Sequence, residues 1–316
     1  MKLSKIFPHL LKAFFFLFLI ISMDYFFGGL CRKYYFKQTK GEIFKENYSI
    51  NSVKTDVLIF GSSRASHHYI PDSIEKNLSL SCYNAGIDGY FILYHYALLK
   101  CVTKRYTPKL IILDLTPGDL LESPGTYDGL DVLLPYYKTH EEIRSLVNLR
   151  KFEKIKMLSQ IYPFNHCLDK FGKINKLDIK SRLLTKGYTP ETIVWNEKRR
   201  IKEPQYNFVY DVNKVAAFKD FMDICNSKGI ELVVTISPYY LDMNEESKEL
   251  IKEVRTMTSK RNVPLFDYSQ DTTFINHAGL FRDRMHLDNS GAEIYSDQVS
   301  HKIIHYDLET KHRLFL

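Results

Sequence analysis

The chain has 316 residues, 45% of them hydrophobic and 26% charged, with a net charge of +7. That length and apolar fraction can fill a full core and exclude a disordered chain. Five cysteines, Cys31, Cys82, Cys101, Cys167 and Cys225, contain no CxxC pair, which argues against a zinc site or a disulfide scaffold. Cys101 and Cys225 fall on apolar positions of helical patterns and read as small buried hydrophobes.

The first predicted element is a membrane anchor. Lys2, Lys5 and Lys12 surround the approach to AFFFLFLIISM, residues 13–23, and YFFGGLC continues beyond Asp24. A helix from about Pro8 to Leu30 is long enough to cross a bilayer, which takes about 20 residues. A cleaved signal peptide has a shorter apolar core and small residues before its cut, which Gly28 and Gly29 do not supply. A lipoprotein signal needs a small residue where Leu30 precedes Cys31. An uncleaved anchor over residues 1–30 is therefore expected, followed by a polar juxtamembrane linker over 31–54. Asp24 is the costly position, at about 2.5–3.5 kcal/mol in a helix centre and less near an end. Arg32, Lys33, Lys37 and Lys40 follow the span, so flanking charge does not choose a side.

From residue 55 to 316 the pattern is that of one α/β domain. Short β-rich runs stand at 56–61, 81–86, 109–116, 231–238 and 264–269. Continuous apolar runs of this kind suit strands buried on both faces. Helical patterns cover Asp88–Lys104 and Asn213–Lys228, the latter with Val215, Phe218, Phe221 and Cys225 on one stripe before Gly229. A last helix starts near SGAE, where Ser290 and Glu293 have capping-box spacing. The alternation predicts a doubly wound, mainly parallel five-stranded sheet. It lapses over 117–211, which reads as a helical insertion leaving the end of the third strand, either a lid or substrate platform over the sheet edge or a packing elaboration. Lys138 to Lys202 holds sixteen Lys and Arg against seven Asp and Glu, more than the whole excess of the chain. This segment reads as a solvated face, or as a surface for an anionic partner.

Candidate chemistry lies at two places. DVLIFGSSR ends an apolar run in Gly61, Ser62 and Ser63, and open α/β folds keep their sites beyond the carboxyl ends of strands. FRDRMHLDNSG places Asp283 three residues before His286, a spacing at which a carboxylate can orient an imidazole base. In a doubly wound sheet both places belong to one edge. Arg64, Arg282 and Arg284 are candidates to hold an anionic substrate. His67, His68 and His277 read as turn or surface histidines, and Asp267 as a spare acid. Asn84 is a substrate-binding candidate that could instead orient its glycine turn.

Together these blocks resemble the SGNH/GDSL hydrolase superfamily. FGSSR resembles its Gly-Asp-Ser-like block with Ser62 in place of Asp, YNAGIDG (83–89) its second block, and DRMH its last. The resemblance spans about 55 to 306 outside the insertion. It implies a flavodoxin-like SGNH fold, Ser63 as nucleophile, His286 as base, Asp283 as its partner, and an oxyanion hole from the amides of Ser63 and Gly86. The third strand ends in LDLTPGDL, without the Gly-x-Asn-Asp asparagine of the family. Branches of the superfamily that transfer acyl groups to envelope polymers also open with Gly-Ser-Ser or alter that block. The resemblance thus implies an esterase or O-acyltransferase acting on an acylated, chiefly acetylated, envelope glycan, outside the cytoplasm, with no metal, no cofactor and no nucleic-acid partner. Two rival readings are a phosphoesterase binding a divalent ion through His277, Asp283, His286 and Asp288, and a noncatalytic relative that binds a glycan or partner.

Overall fold

Five apolar runs pair side by side in the computed structural model, which describes residues 3–123, 125–170, 185–192, 195, 208–241 and 243–310. They are β1 (Val57–Phe60), β2 (Cys82–Asn84), β3 (Leu110–Asp114), β4 (Glu231–Ile236) and β5 (Leu265–Asp267), all parallel in the order β2-β1-β3-β4-β5. Alternation sends Val57 and Ile59 into one core cluster and Leu58 and Phe60 into the other, so both sheet faces are buried as the uninterrupted hydrophobicity predicts. The order reverses between β1 and β3, and the carboxyl end of β1 opens at that switch point.

Helices cover both faces. On one lie α1 (Leu3–Phe36), α2 (Gly41–Asn51) and α5 (Ile92–Arg105), and on the other α3 (Ser63–His68) and α4 (Pro71–Leu78). Later in the chain come the one-turn helices α6 (Arg144–Val147) and α7 (Glu153–Lys156), then α8 (Val212–Ser227), α9 (Glu245–Ser259) and α10 (Asn289–Thr310). Phe218, Phe221 and Cys225 are the buried stripe of α8, which ends at Gly229 with φ +66. The sequence reading did not list α3, α4 or α9.

Three expectations are corrected. Residues 31–54 are not a linker: Tyr35, Ile43, Ile50 and Val53 are buried in the main core, and the Lys45 ammonium donates to Gly187 O at 2.6 Å. The insertion, within the described residues, is built mainly of 3₁₀ turns such as Asp128–Tyr136 and Tyr162–Lys170. Much of the basic run lies outside the described residues. The last helix is capped by Asp288 rather than Ser290, since Gly291 N–H donates to Asp288 Oδ1 at 2.8 Å and Ala292 N–H to Asp288 O.

The amino-terminal helix is long and apolar enough to cross a membrane by length and composition. Residues 6–23 are all exposed, and Asp24 is the first position that the rest of the chain partly covers.

Candidate active site

Gly61 makes the turn between β1 and α3. Its φ is +143, and a Cβ there would stand 2.7 Å from both Ala65 Cβ and Asp114 O, so the backbone conformation and the close approach both require glycine. Ser63 follows as the first residue of α3, with its hydroxyl at the sheet edge. Across from it, residues 281–287 close into a loop. Phe281 and Leu287 form an antiparallel bridge, and Arg282 N–H donates to His286 O at 2.9 Å.

The two places meet. Ser63 Oγ lies 2.8 Å from His286 Nε2, and His286 Nδ1 lies 2.9 Å from Asp283 Oδ1 and 3.1 Å from Oδ2. A carboxylate only accepts, so Nδ1 carries the proton and Nε2 is left to accept from the serine hydroxyl. Asp283 Oδ1 also accepts from the amides of Met285 and His286 at 2.9 and 3.0 Å. Burial alone would raise this carboxyl; the hydrogen bonds and charge of His286 with the two amides outweigh it and hold it below the ordinary value.

The remaining candidates divide. Arg64 is 1% exposed; it donates through Nε and Nη2 to Ser237 Oγ at 2.9 and 2.7 Å, and its guanidinium stacks 3.7 Å above the Tyr239 ring. It is a core fastener, which corrects its reading as a substrate contact. Asn84 is fully buried. Its Nδ2 donates to Ala65 O and Tyr69 O at 2.7 and 2.9 Å, and its Oδ1 accepts from Gly86 N–H at 2.9 Å. Asn84 therefore orients the glycine turn and touches no substrate. The same bond corrects the reading of Gly86, because its amide is already engaged by Asn84. Gly86 serves packing instead: a Cβ there would meet Ala65 Cβ and Ser66 N at 2.7 Å.

Arg282 is ion-paired with Glu191 and lies 3.4 Å from Asp283 Oδ2, whereas Arg284 is exposed. His277 is exposed as expected, but His67 and His68 are not surface residues. His67 Nδ1 donates to Thr189 O at 2.8 Å and Nε2 approaches Asp88 Oδ2 at 3.0 Å. Burial alone would raise the Asp88 carboxyl, but the hydrogen bond and charge of His67, with Ser66 and Lys45, outweigh it and bring it down to about 2. His68 Nε2 accepts from Leu287 N–H at 3.0 Å and Nδ1 donates to Ser237 Oγ at 3.0 Å. Asp267 is taken up in a local turn with Ser269, away from the imidazole. His277, Asp283, His286 and Asp288 do not converge as a ligand set; among the described residues the group that does is Cys101, His140 and Glu142.

Sequence reasoning missed the strap of residues 185–192. Thr189 N–H donates to Ser66 O at 2.9 Å, Asn289 N–H donates to Glu191 O at 3.0 Å, and Glu191 holds Arg282. The strap therefore ties α3 to the 281–287 loop. At the end of β3 the Thr116 hydroxyl is bonded to Asp119.

No family model matches the chain, and no curated protein matches it. Among solved structures it is similar to a lipolytic protein of the G-D-S-L family from Desulfitobacterium hafniense DCB-2, at 11% identity and TM-score 0.42 over 78% of this chain and 99% of that one. It is also similar to a lipase/acylhydrolase from Enterococcus faecalis, at 13% identity and TM-score 0.39 over 78% and 94%. A third is the acetyl xylan esterase AlAXEase, at 13% identity and TM-score 0.40 over 78% and 99%. The strand order is that of a doubly wound parallel sheet, and the first and last blocks meet at one edge of it.

Proposed function

We propose that the protein is a membrane-anchored serine esterase or O-acyltransferase whose substrate is an acylated envelope glycan. The relay Ser63 Oγ, His286 Nε2, His286 Nδ1, Asp283 Oδ1, with contacts of 2.8 and 2.9 Å, is the observation that carries this reading. His286 Nε2 takes the hydroxyl proton as Ser63 Oγ attacks the ester carbonyl. The oxyanion is held by the Ser63 amide, which at the first position of α3 has no intrahelical acceptor. Collapse expels the alcohol, which takes the proton back from His286, and leaves acyl-Ser63. Water or a sugar hydroxyl, deprotonated by the same nitrogen, then attacks the acyl carbon and regenerates the serine.

The missing asparagine and the engaged Gly86 amide leave fewer oxyanion donors than the family pattern supplies. One such donor is worth about 2.7–4 kcal/mol in a well-studied protease, so turnover is expected to be slow. The glycan and the extracytoplasmic side rest on the resemblance to envelope branches, and the anchor on the exposed apolar stretch of α1. Among the described residues beside the relay, Arg284 is exposed and could meet an anionic sugar.

A fluorophosphonate probe tests the chemistry. The wild type should be labelled on Ser63 and release or transfer acetyl groups from acetylated polysaccharide, and Ser63→Ala should lose both. Labelling that persists in Ser63→Ala would overturn the assignment; a wild type that neither labels nor turns over any ester, yet binds glycan, would favour the noncatalytic reading.

A further inference from the structure

Residues 152–158 present an apolar edge that the esterase chemistry does not use. Ile155 N–H donates to Phe152 O at 3.1 Å and Leu158 N–H to Ile155 O at 3.0 Å. Lys156 N–H also donates to Phe152 O at 3.1 Å and Met157 N–H to Glu153 O at 2.9 Å, and side chains three apart on such a turn are neighbours. Phe152, Ile155 and Leu158 thus share one edge, and they are 72%, 66% and 76% exposed. On the inner side, Glu153 and Met157 are buried. Phe152 is held at φ +62, a left-handed conformation that is costly for an aromatic residue. The lysines at 151, 154 and 156 flank the edge and are exposed.

The position of this edge along α1 identifies what covers it. Directly after Leu158, three donors close on the Asp24 carboxylate: Ser159 Oγ at 2.6 Å, Gln160 N–H at 2.7 Å and Ile161 N–H at 3.2 Å. Gly28 allows this approach, since a Cβ there would collide with Gln160. The domain is therefore fastened to α1 at Asp24, where the unbroken exposed run of residues 6–23 meets its first partly covered position, with Tyr25, Phe26, Phe27 and Leu30 beyond it also exposed. That stretch, residues 6–23, spans about 27 Å at 1.5 Å per residue, close to the roughly 30 Å of a hydrocarbon core. Asp24 and the loop that satisfies it then stand at the bilayer surface, beside the exposed edge.

We propose that Phe152, Ile155 and Leu158 are a second membrane contact, which dips into the headgroup and acyl boundary of the bilayer that α1 crosses. Lys151 and Lys154 meet lipid phosphates, while Lys156 is held by the buried Glu153 at 3.0 Å. An apolar edge rimmed by cations is the composition of interfacial membrane-binding segments, and basic residues near an anionic surface add attraction. Two contacts fix the tilt of the domain, and this holds independently of the chemistry at Ser63.

Brominated-lipid quenching tests the proposal on the full chain in phosphatidylcholine and phosphatidylglycerol vesicles. The chain has one tryptophan, so single reporters are placed in a Trp195→Phe background. Phe15→Trp reports on the span, and Leu308→Trp on an exposed apolar position of α10. Ile155→Trp and Leu158→Trp should lose emission to bromine near the headgroups and shift to the blue, Phe15→Trp should be quenched as well, and Leu308→Trp should not. Replacing Lys151 and Lys154 by Gln should weaken quenching at 155 while sparing 15. Reporters at 155 and 158 that behave like the one at 308 would overturn the proposal, and a cross-linked dimer through the same positions would assign the edge to a second copy instead. An unquenched reporter at 15 would remove the span and the proposal with it.

Discussion

His68 packs beside the relay, its ring 6.3 Å from that of His286. Fully buried, its ring is pushed well below the ordinary histidine value, first by burial and then by the charges of Arg64, His286 and His67, so it is neutral where an esterase works. Neutrality is what its contacts require: Nε2 must accept from Leu287 N–H while Nδ1 donates to Ser237 Oγ. It is a positioning residue that fixes the backbone next to His286. His68→Ala would leave the Leu287 amide buried and unpaired, at about 1–3 kcal/mol. We expect kcat to fall by roughly tenfold to a hundredfold with KM little changed, and His68→Gln, whose amide oxygen can accept the same proton, to recover most of it. Equal losses in the two variants would reject this role. The relay itself was readable because Asp-x-x-His is a local spacing and Ser63 directly follows a strand. The burial of Arg64, His67 and His68 was not, because their partners Ser237, Thr189 and Leu287 are more than a hundred residues away in the chain.

At the scale of elements, the strands were legible because burial on both faces leaves a continuous apolar run, and only their ends were trimmed. The helices α3 and α4 have six and eight residues, too few for a 3.6-residue period to show. The strap of 185–192 has no period at all and is held by backbone and side-chain hydrogen bonds. The turn after β3 also depends on such bonds. Asp119 accepts from Thr116 N–H at 3.1 Å and from its hydroxyl, yet burial outweighs these bonds and pushes its carboxyl up to about 6. The native state then binds more protons than the unfolded chain between about pH 4 and 6, so stability falls as pH rises through that window and stays lower above it. Asp119→Asn, neutral throughout and able to pair with both Thr116 groups, should be up to about 3 kcal/mol more stable than wild type near pH 8, with most of that gain gone near pH 4. Chemical denaturation at the two values measures it; a variant less stable at both would show that the carboxylate is compensated.

For the whole molecule, the organising contact is between α1 and the domain. The cost of Asp24 in an apolar helix disappears once the Ser159 to Ile161 loop supplies three donors. The carboxylate that counts against a span in the sequence is thus the joint between α1 and the domain. Residues 31–54 continue from that joint into the core rather than hanging as a tether, so the anchor and the sheet move as one body only while the joint holds. Asp24→Ala removes the acceptor for all three donors, and a hydrogen bond to a charged group contributes about 1.5–3 kcal/mol. Losing even one raises the opening of the 159–161 loop by about tenfold or more. Trypsin should then cut after Lys154 and Lys156 at least about tenfold faster in the reconstituted variant, while phosphonate labelling of Ser63 is unchanged, because the sheet edge lies on other elements. Asp24→Asn, which keeps one accepting oxygen, should fall between the two. Cleavage at the wild-type rate in Asp24→Ala would mean that the packing of Tyr35 and Ile43 alone fixes α1, and the joint would then be incidental to how the domain sits on that helix.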